Sequence, residues 1–125
     1  MKAFGLTRCL RSNPAMIEKY KLYHRQAFPG LLAELRARGI TEMKIYLLGT
    51  RMFMYMETVD DFEVERDLNR PSDDPQWLEW NELMGPLQEP APEARPGQSW
   101  APMEEIFGLN WPQHRPGAQP GEVTP

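Results

Sequence analysis

Proline placement is the strongest constraint on how this chain can fold, because nine of its 13 prolines lie at or beyond Pro86. Each proline fixes φ and removes a backbone N–H, so no regular helix or central strand can run through residues 86–97. That stretch predicts a long extended loop across the domain surface, occupying residues 86–100. Residues 112–125 are rich in Pro and Gly with few apolar anchors, and a disordered tail is expected there. The rest of a 125-residue chain suits a single domain over residues 1–111 with one modest core.

Two of the earlier prolines mark helix starts. Asn13-Pro14 and Asp74-Pro75 each put a side-chain acceptor just before a proline that fits the first helical turn. From Ile17, the apolar or aromatic positions 17, 20, 24, 27, 28, 31, 32 and 35 trace one stripe of an amphipathic helix, closed by Gly39 as a left-handed cap. Pro29 interrupts it, since it cannot bond to the Arg25 carbonyl, and a bend or restart is expected at Phe28-Pro29-Gly30. Residues 2–9 read as a strand, although Gly5 weakens it, and residues 43–48 and 51–58 read as a hairpin around Gly49-Thr50. Asp60 or Asp61 is placed to cap a helix through Asn69, the Asp74-Pro75 helix carries Trp77, Trp80, Leu83 and Met84, and a last strand is expected over 102–109. The order βαββαβ predicts an α+β fold, a ferredoxin-like sandwich.

Both faces of the hairpin are substantially apolar. Met43, Ile45 and Leu47 share one face while Tyr46 and Leu48 share the other, and Met52, Met54 and Met56 alternate with Phe53 and Tyr55. Helices can cover one face; the simplest cover for the other is a second subunit, so a homodimer is expected. The methionine run reads as deformable core rather than a cofactor box.

Composition narrows the function classes. Fourteen Lys and Arg against 18 Asp and Glu give a net charge of −4 with no basic tract, which argues against nucleic acid and an anionic membrane surface as partners. No signal peptide or long apolar run is evident, and a cytoplasmic protein is expected. The single cysteine, Cys9, excludes an intrachain disulfide and multi-thiolate zinc sites. G-x-S-x-G, Walker and G-x-G-x-x-G motifs are absent, and no metal or other cofactor is implied.

Of the two histidines, His114 falls in the tail with nothing ordered expected around it, whereas His24 lies on the helical stripe four residues after Tyr20. The pair is either a satisfied core histidine with a packing tyrosine or a functional acid/base pair, because imidazole titrates near neutrality and a phenol can donate a proton to oxygen. Tyr23 sits off the stripe and reads as a surface or interface aromatic. Trp77 and Trp80, three residues apart, suit either a core stripe or stacking on the C–H face of a sugar. Glu34 and Glu42 read as solvated. Glu57, Glu104 and Glu105 are strand carboxylates open to either a structural ion pair, with Arg8, Arg51 or Lys44 as partner, or a substrate-facing role.

Several segments together resemble the L-rhamnose mutarotase family. They are Lys2-Ala3-Phe4, Tyr20-Lys21-Leu22-Tyr23-His24, Phe28-Pro29-Gly30-Leu31, Gly39-Ile40, Ile45-Tyr46-Leu47, Arg51-Met52-Phe53-Met54, the stretch from Trp77 to Met84, and Met103-Glu104-Glu105-Ile106-Phe107. The resemblance implies a subunit that pairs through its sheet as a dimeric α/β barrel. It further implies interconversion of the α and β anomers of a 6-deoxy-L-sugar without a cofactor. His24 and Tyr20 then correspond to the catalytic pair, and the pocket indoles fall near Trp77; Trp80, Tyr46, Phe28 and Glu105 complete the expected substrate-binding set. One departure stands out: rhamnose-type members carry adjacent tryptophans where this chain has Trp77-Leu78 and then Trp80. The Leu48-Gly49-Thr50-Arg51 turn, the Phe62-Glu63-Val64-Glu65-Arg66 segment and the insertion between Gln88 and Trp100 look more like the branch associated with L-fucose. On this reading His24 handles the ring-oxygen proton. The alternative is a small-ligand-binding, haem-binding or monooxygenase-like protein on the same scaffold, without anomer exchange.

Overall fold

A computed structural model describes residues 1–117; the part of the expected disordered tail from residue 118 onward lies outside the described residues. Strand β1 (Lys2–Leu10) is followed by helices α1 (Pro14–Arg25) and α2 (Pro29–Ala37), the hairpin β2 (Ile40–Leu48) and β3 (Arg51–Thr58), and helix α3 (Pro75–Met84). Two short strands, β4 (Gln88–Glu89) and β5 (Ala101–Met103), complete the sheet. The result is an α+β fold with a curled antiparallel sheet in the order β2-β3-β1-β4, β5 also pairing with β1.

Local chemistry accounts for the element boundaries. The Asn13 side chain accepts from the N–H groups of Ala15 and Met16, and that of Asp74 from those of Gln76 and Trp77, with a proline opening each helix. At Pro29, where a bend or a restart is expected, the helix restarts, so the long stripe is carried by two helices rather than one. Gly39 takes φ +95°, a left-handed conformation that side chains resist, and turns the chain into β2. Gly5 has a steric reason to lack a side chain: the Phe53 ring lies across it, 2.8 Å from where a Cβ would stand.

Three segments differ from the expectation. The last strand is only three residues long, and residues 104–109 leave the sheet, because Pro102 limits the ladder and Ile106, Phe107 and Leu109 find no sheet partner. The segment after Asp61 forms one π-helical turn, Val64–Leu68, instead of a helix reaching Asn69. Within the proline-rich stretch, residues 88–89 pair with Leu10 and Cys9, and Leu87, Gln88 and Ala91 are buried, so the loop is anchored at its start.

The core lies between the helices and one face of the sheet. Leu6, Leu10, Met52, Met54 and Met56 all point inward and are almost fully buried. They form two adjoining clusters, one with Tyr20, Leu31, Trp80 and Met84, the other with Ile40 and Phe62. On the outer face Tyr46, Leu48, Phe53 and Met103 remain exposed.

Candidate active site

Between α1, α2, α3 and the inner sheet face lies a cavity of about 660 Å³, within the range of roughly 300–1,000 Å³ usual for small-ligand sites. Tyr20, His24, Trp77 and Trp80 all line it. Helical spacing explains the first pair, because residues four apart stand on neighbouring turns of one face. The Tyr20 and His24 rings stack with centroids 4.0 Å apart and planes inclined by 27°. Trp80 meets His24 edge-on at 4.9 Å and Phe28 edge-on at 5.3 Å, which fixes the imidazole from a second side.

His24 has a defined protonation pattern. Its Nδ1 lies 2.7 Å from the Tyr20 carbonyl oxygen, which can only accept, so Nδ1 carries the proton. In the neutral ring Nε2 therefore keeps its lone pair. Burial pulls the imidazole pKa below its ordinary value and outweighs the opposing carbonyl bond, so the neutral base predominates at pH 7. Burial likewise raises the Tyr20 phenol above its ordinary value, against an opposing pull from the Arg8 charge, and Tyr20 holds its proton.

Trp77 is held from behind. The Arg38 guanidinium sits 3.9 Å from its ring centroid and donates to the Asp67 carbonyl at 2.9 Å and to Glu34 Oε1 at 3.0 Å. Glu34 is thus an ion-pair partner for a buried arginine rather than a solvated carboxylate. Tyr23, read from the sequence as a surface or interface aromatic, is half-buried and packs edge-on against Trp80 with centroids 6.4 Å apart.

Not every expected substrate contact reaches the cavity. Phe28 stands behind Trp80, outside the lining. Tyr46 points to the opposite sheet face, 58% exposed and stacked on Phe53, as strand alternation from the inward Ile45 requires. Glu105 lies past the end of β5, exposed, and accepts from the Trp111 indole N–H. Glu57 is occupied on the outer face by the Tyr55 hydroxyl at 2.7 Å.

Other lining residues emerge only from the tertiary structure. Gln88, Ser99 and Trp100 come from the two ends of the 86–100 loop, which therefore borders its own chain's cavity. Asn69 and Asn81 join them; the Asn81 amide donates to the Trp77 carbonyl at 2.8 Å, leaving its side-chain oxygen as an acceptor. Arg8 also faces the cavity, on the inward parity of Leu6 and Leu10, and pairs with none of the carboxylates considered for it. A polar residue on an otherwise apolar strand face was the sequence signal for it. Among the described residues no group of three or more His, Cys, Asp or Glu is arranged to hold a metal ion.

Comparison with known proteins assigns the chain. The sequence pattern of the L-rhamnose mutarotase family matches residues 4–109. This chain belongs to that family. A UPF0734 protein of Dictyostelium discoideum is 34% identical over 114 residues, covering 88% of this chain and 91% of that protein. An L-fucose mutarotase of Xanthomonas campestris pv. campestris is 31% identical over 103 residues, covering 81% and 82%. Among solved structures, the L-rhamnose mutarotase of Formosa agariphila superposes with a TM-score of 0.63 at 18% identity, covering 86% of this chain and 98% of that one. The tetracenomycin F2 cyclase of Streptomyces glaucescens shares the fold as well, with a TM-score of 0.58 at 16% identity over 90% and 100% of the two chains. The mutarotase family assignment places this protein among isomerases that act on 6-deoxy sugars.

Proposed function

We propose that this chain interconverts the α and β anomers of a 6-deoxy-L-sugar, L-fucose in preference to L-rhamnose, with His24 and Tyr20 as the acid/base pair. The observation that carries the reading is the Nδ1 bond from His24 to the Tyr20 carbonyl, which leaves an unprotonated Nε2 on a ring that lines a cavity with ample room for a monosaccharide. Family membership and the L-fucose mutarotase relative support the substrate class.

In the proposed reaction Nε2 of His24 takes the proton from the C1 hydroxyl. The O–H electron pair forms the C1=O bond, the C1–ring-oxygen bond breaks toward the ring oxygen, and Tyr20 gives that oxygen its proton. Rotation about the bond to C1 presents the other aldehyde face. Closure runs both transfers backward and restores neutral His24 and the Tyr20 phenol. The neutral starting state of His24 makes it the base on opening, and Tyr20 rather than His24 serves the ring oxygen. Trp77 and Trp80 offer apolar faces for the sugar's C–H groups and limit competing water.

The subunit is proposed to be a ferredoxin-like half that forms a homodimeric α/β barrel through its outer sheet face, where Tyr46, Leu48, Phe53 and Met103 are exposed. Sedimentation of the wild type against Phe53→Asp checks this: a dimer that dissociates agrees, and a wild-type monomer refutes it. Saturation-transfer NMR on L-fucose, L-rhamnose, D-galactose and D-ribose under one condition tests the activity. Fastest exchange on L-fucose is expected. Binding without exchange would favour a ligand-binding module, and acceleration of none of the four would refute the mutarotase reading.

A further inference from the structure

We propose that Arg8 enables Tyr20 to act as an acid, its guanidinium holding the negative charge left on the phenol oxygen when Tyr20 protonates the sugar's ring oxygen. The inference rests on the mutarotase reading above and assigns a role to a residue that reading does not use.

Arg8 occupies an unusual position. It lies on β1, opposite Met52 of β3, on the face that carries Leu6 at 0% exposure and Leu10 at 1%. Strand alternation would put an aliphatic side chain there. Its Nε is buried and has no hydrogen-bond partner among the described residues. Among the described residues the cavity lining includes His24, Tyr20 and several amides but no carboxylate, so Arg8 is the one formal charge of that lining at pH 7. A partly buried cation whose buried Nε has no acceptor costs stability, and a well-packed apolar residue is often at least as stable in such a place. Met52, Met54 and Met56 face inward from β3, and the one acid of β4, Glu89, stands opposite Cys9 and pairs with Arg11 instead.

An arginine left unneutralised beside a phenol becomes useful once an anion forms. When the Tyr20 O–H bond breaks, its proton passes to the ring oxygen and its electron pair stays on the phenol oxygen. His24 simultaneously holds the proton taken from the C1 hydroxyl, so net charge in the cavity is unchanged. Burial by itself opposes a phenolate at Tyr20, and the Arg8 charge acts in the other direction. The guanidinium thus serves as a preorganised counter-charge and needs no solvent rearrangement at the moment of transfer. Because it works through Tyr20, Arg8 is a positioning residue.

The test is a double-mutant cycle of Arg8→Met and Tyr20→Phe, read by saturation-transfer exchange on L-fucose and by thermal melting. Arg8→Met is expected to lower kcat by about 10²-fold with a much smaller change in KM, the scale seen when one charge-stabilising donor is removed. Arg8→Lys recovers part of the rate. In the Tyr20→Phe background Arg8→Met brings no further loss, and its melting temperature is no lower than that of the parent. Equal losses in both backgrounds, or a lowered melting temperature that accounts for the lost rate, would overturn the inference. If Arg8→Met does not fold, Arg8→Gln takes its place with the same expected outcomes. A wild type without exchange defeats the mutarotase reading and this inference together; an active wild type matched by Arg8→Met defeats this inference alone.

Discussion

The protein holds two histidines in nearly the same local arrangement and very different surroundings. In each, Nδ1 meets a backbone carbonyl: Tyr20 at 2.7 Å for His24, Gly108 at 2.6 Å for His114. Each ring also stacks on an aromatic neighbour, Tyr20 at 4.0 Å and Trp111 at 5.6 Å. The ordered surroundings of His114 correct the expectation of an isolated tail residue, since Phe107 and Trp111 fold around it. Yet His114 lies on an exposed segment, and half-buried His24 lines a half-open cavity together with Arg8 and Trp77. The same hydrogen bond selects a tautomer in both places. Only one of them is a candidate catalyst, because partial burial in the cavity wall lowers its imidazole pKa and the same wall supplies a second proton-transfer group.

Substituting the two histidines separates these effects most sharply. His24→Ala is expected to reduce anomer exchange by about 10²–10⁴-fold while the protein stays folded, the usual contribution of a positioned acid/base group. His114→Ala should leave the rate within about twofold. Comparable losses from both would show that placement in the cavity wall is not the deciding factor. Next in size, Tyr20→Phe removes the ring-oxygen acid and keeps the stacking surface, so kcat should fall by about 10²-fold with circular dichroism unchanged. Retained kcat would assign that proton to water.

Smaller effects refine the comparison. Trp77→Ala should weaken sugar binding by about fivefold, on the order of 1 kcal/mol for one aromatic face. Trp111→Ala, at the His114 cluster, should leave binding unchanged; titration calorimetry measures both. The smallest effect concerns pH and stability. The folded-state pKa of His24 is lowered, so near and below the ordinary value of about 6.5 the unfolded chain binds more protons than the folded one. This group therefore makes folding less favourable as pH falls from about 6.5 towards the folded pKa, with the full penalty below it. Denaturant titrations should show a shallower pH dependence in His24→Gln than in wild type. An identical slope would mean that His24 is not desolvated.

Some of this was readable without coordinates, and the division has physical causes. Asn13, Asp74, Pro29 and Gly39 act through their own backbone neighbourhood, so both helix starts, the restart and the left-handed cap follow from local sequence. The convergence of Tyr20 and His24 follows from helical periodicity. Contacts set by long loops were not readable: Ser99 and Trp100 reach the cavity only because the 86–100 segment returns to β1. Glu105 was expected in a strand whose ladder ends at Met103, and Tyr46 was assigned to the site although its alternation with Ile45 already placed it on the other face. Arg8 carried a visible signal, an inward-facing cation between Leu6 and Leu10, but its lack of a carboxylate partner depends on the tertiary fold.

Histidine-selective ¹⁵N NMR at pH 7, with and without saturating L-fucose, tests most directly whether His24 is the reacting imidazole. The account predicts a neutral His24 with its proton on Nδ1, an Nε2 resonance that moves when sugar is added, and a His114 spectrum that does not respond. A His24 protonated on Nε2, or an Nε2 resonance indifferent to sugar while exchange proceeds, would contradict it.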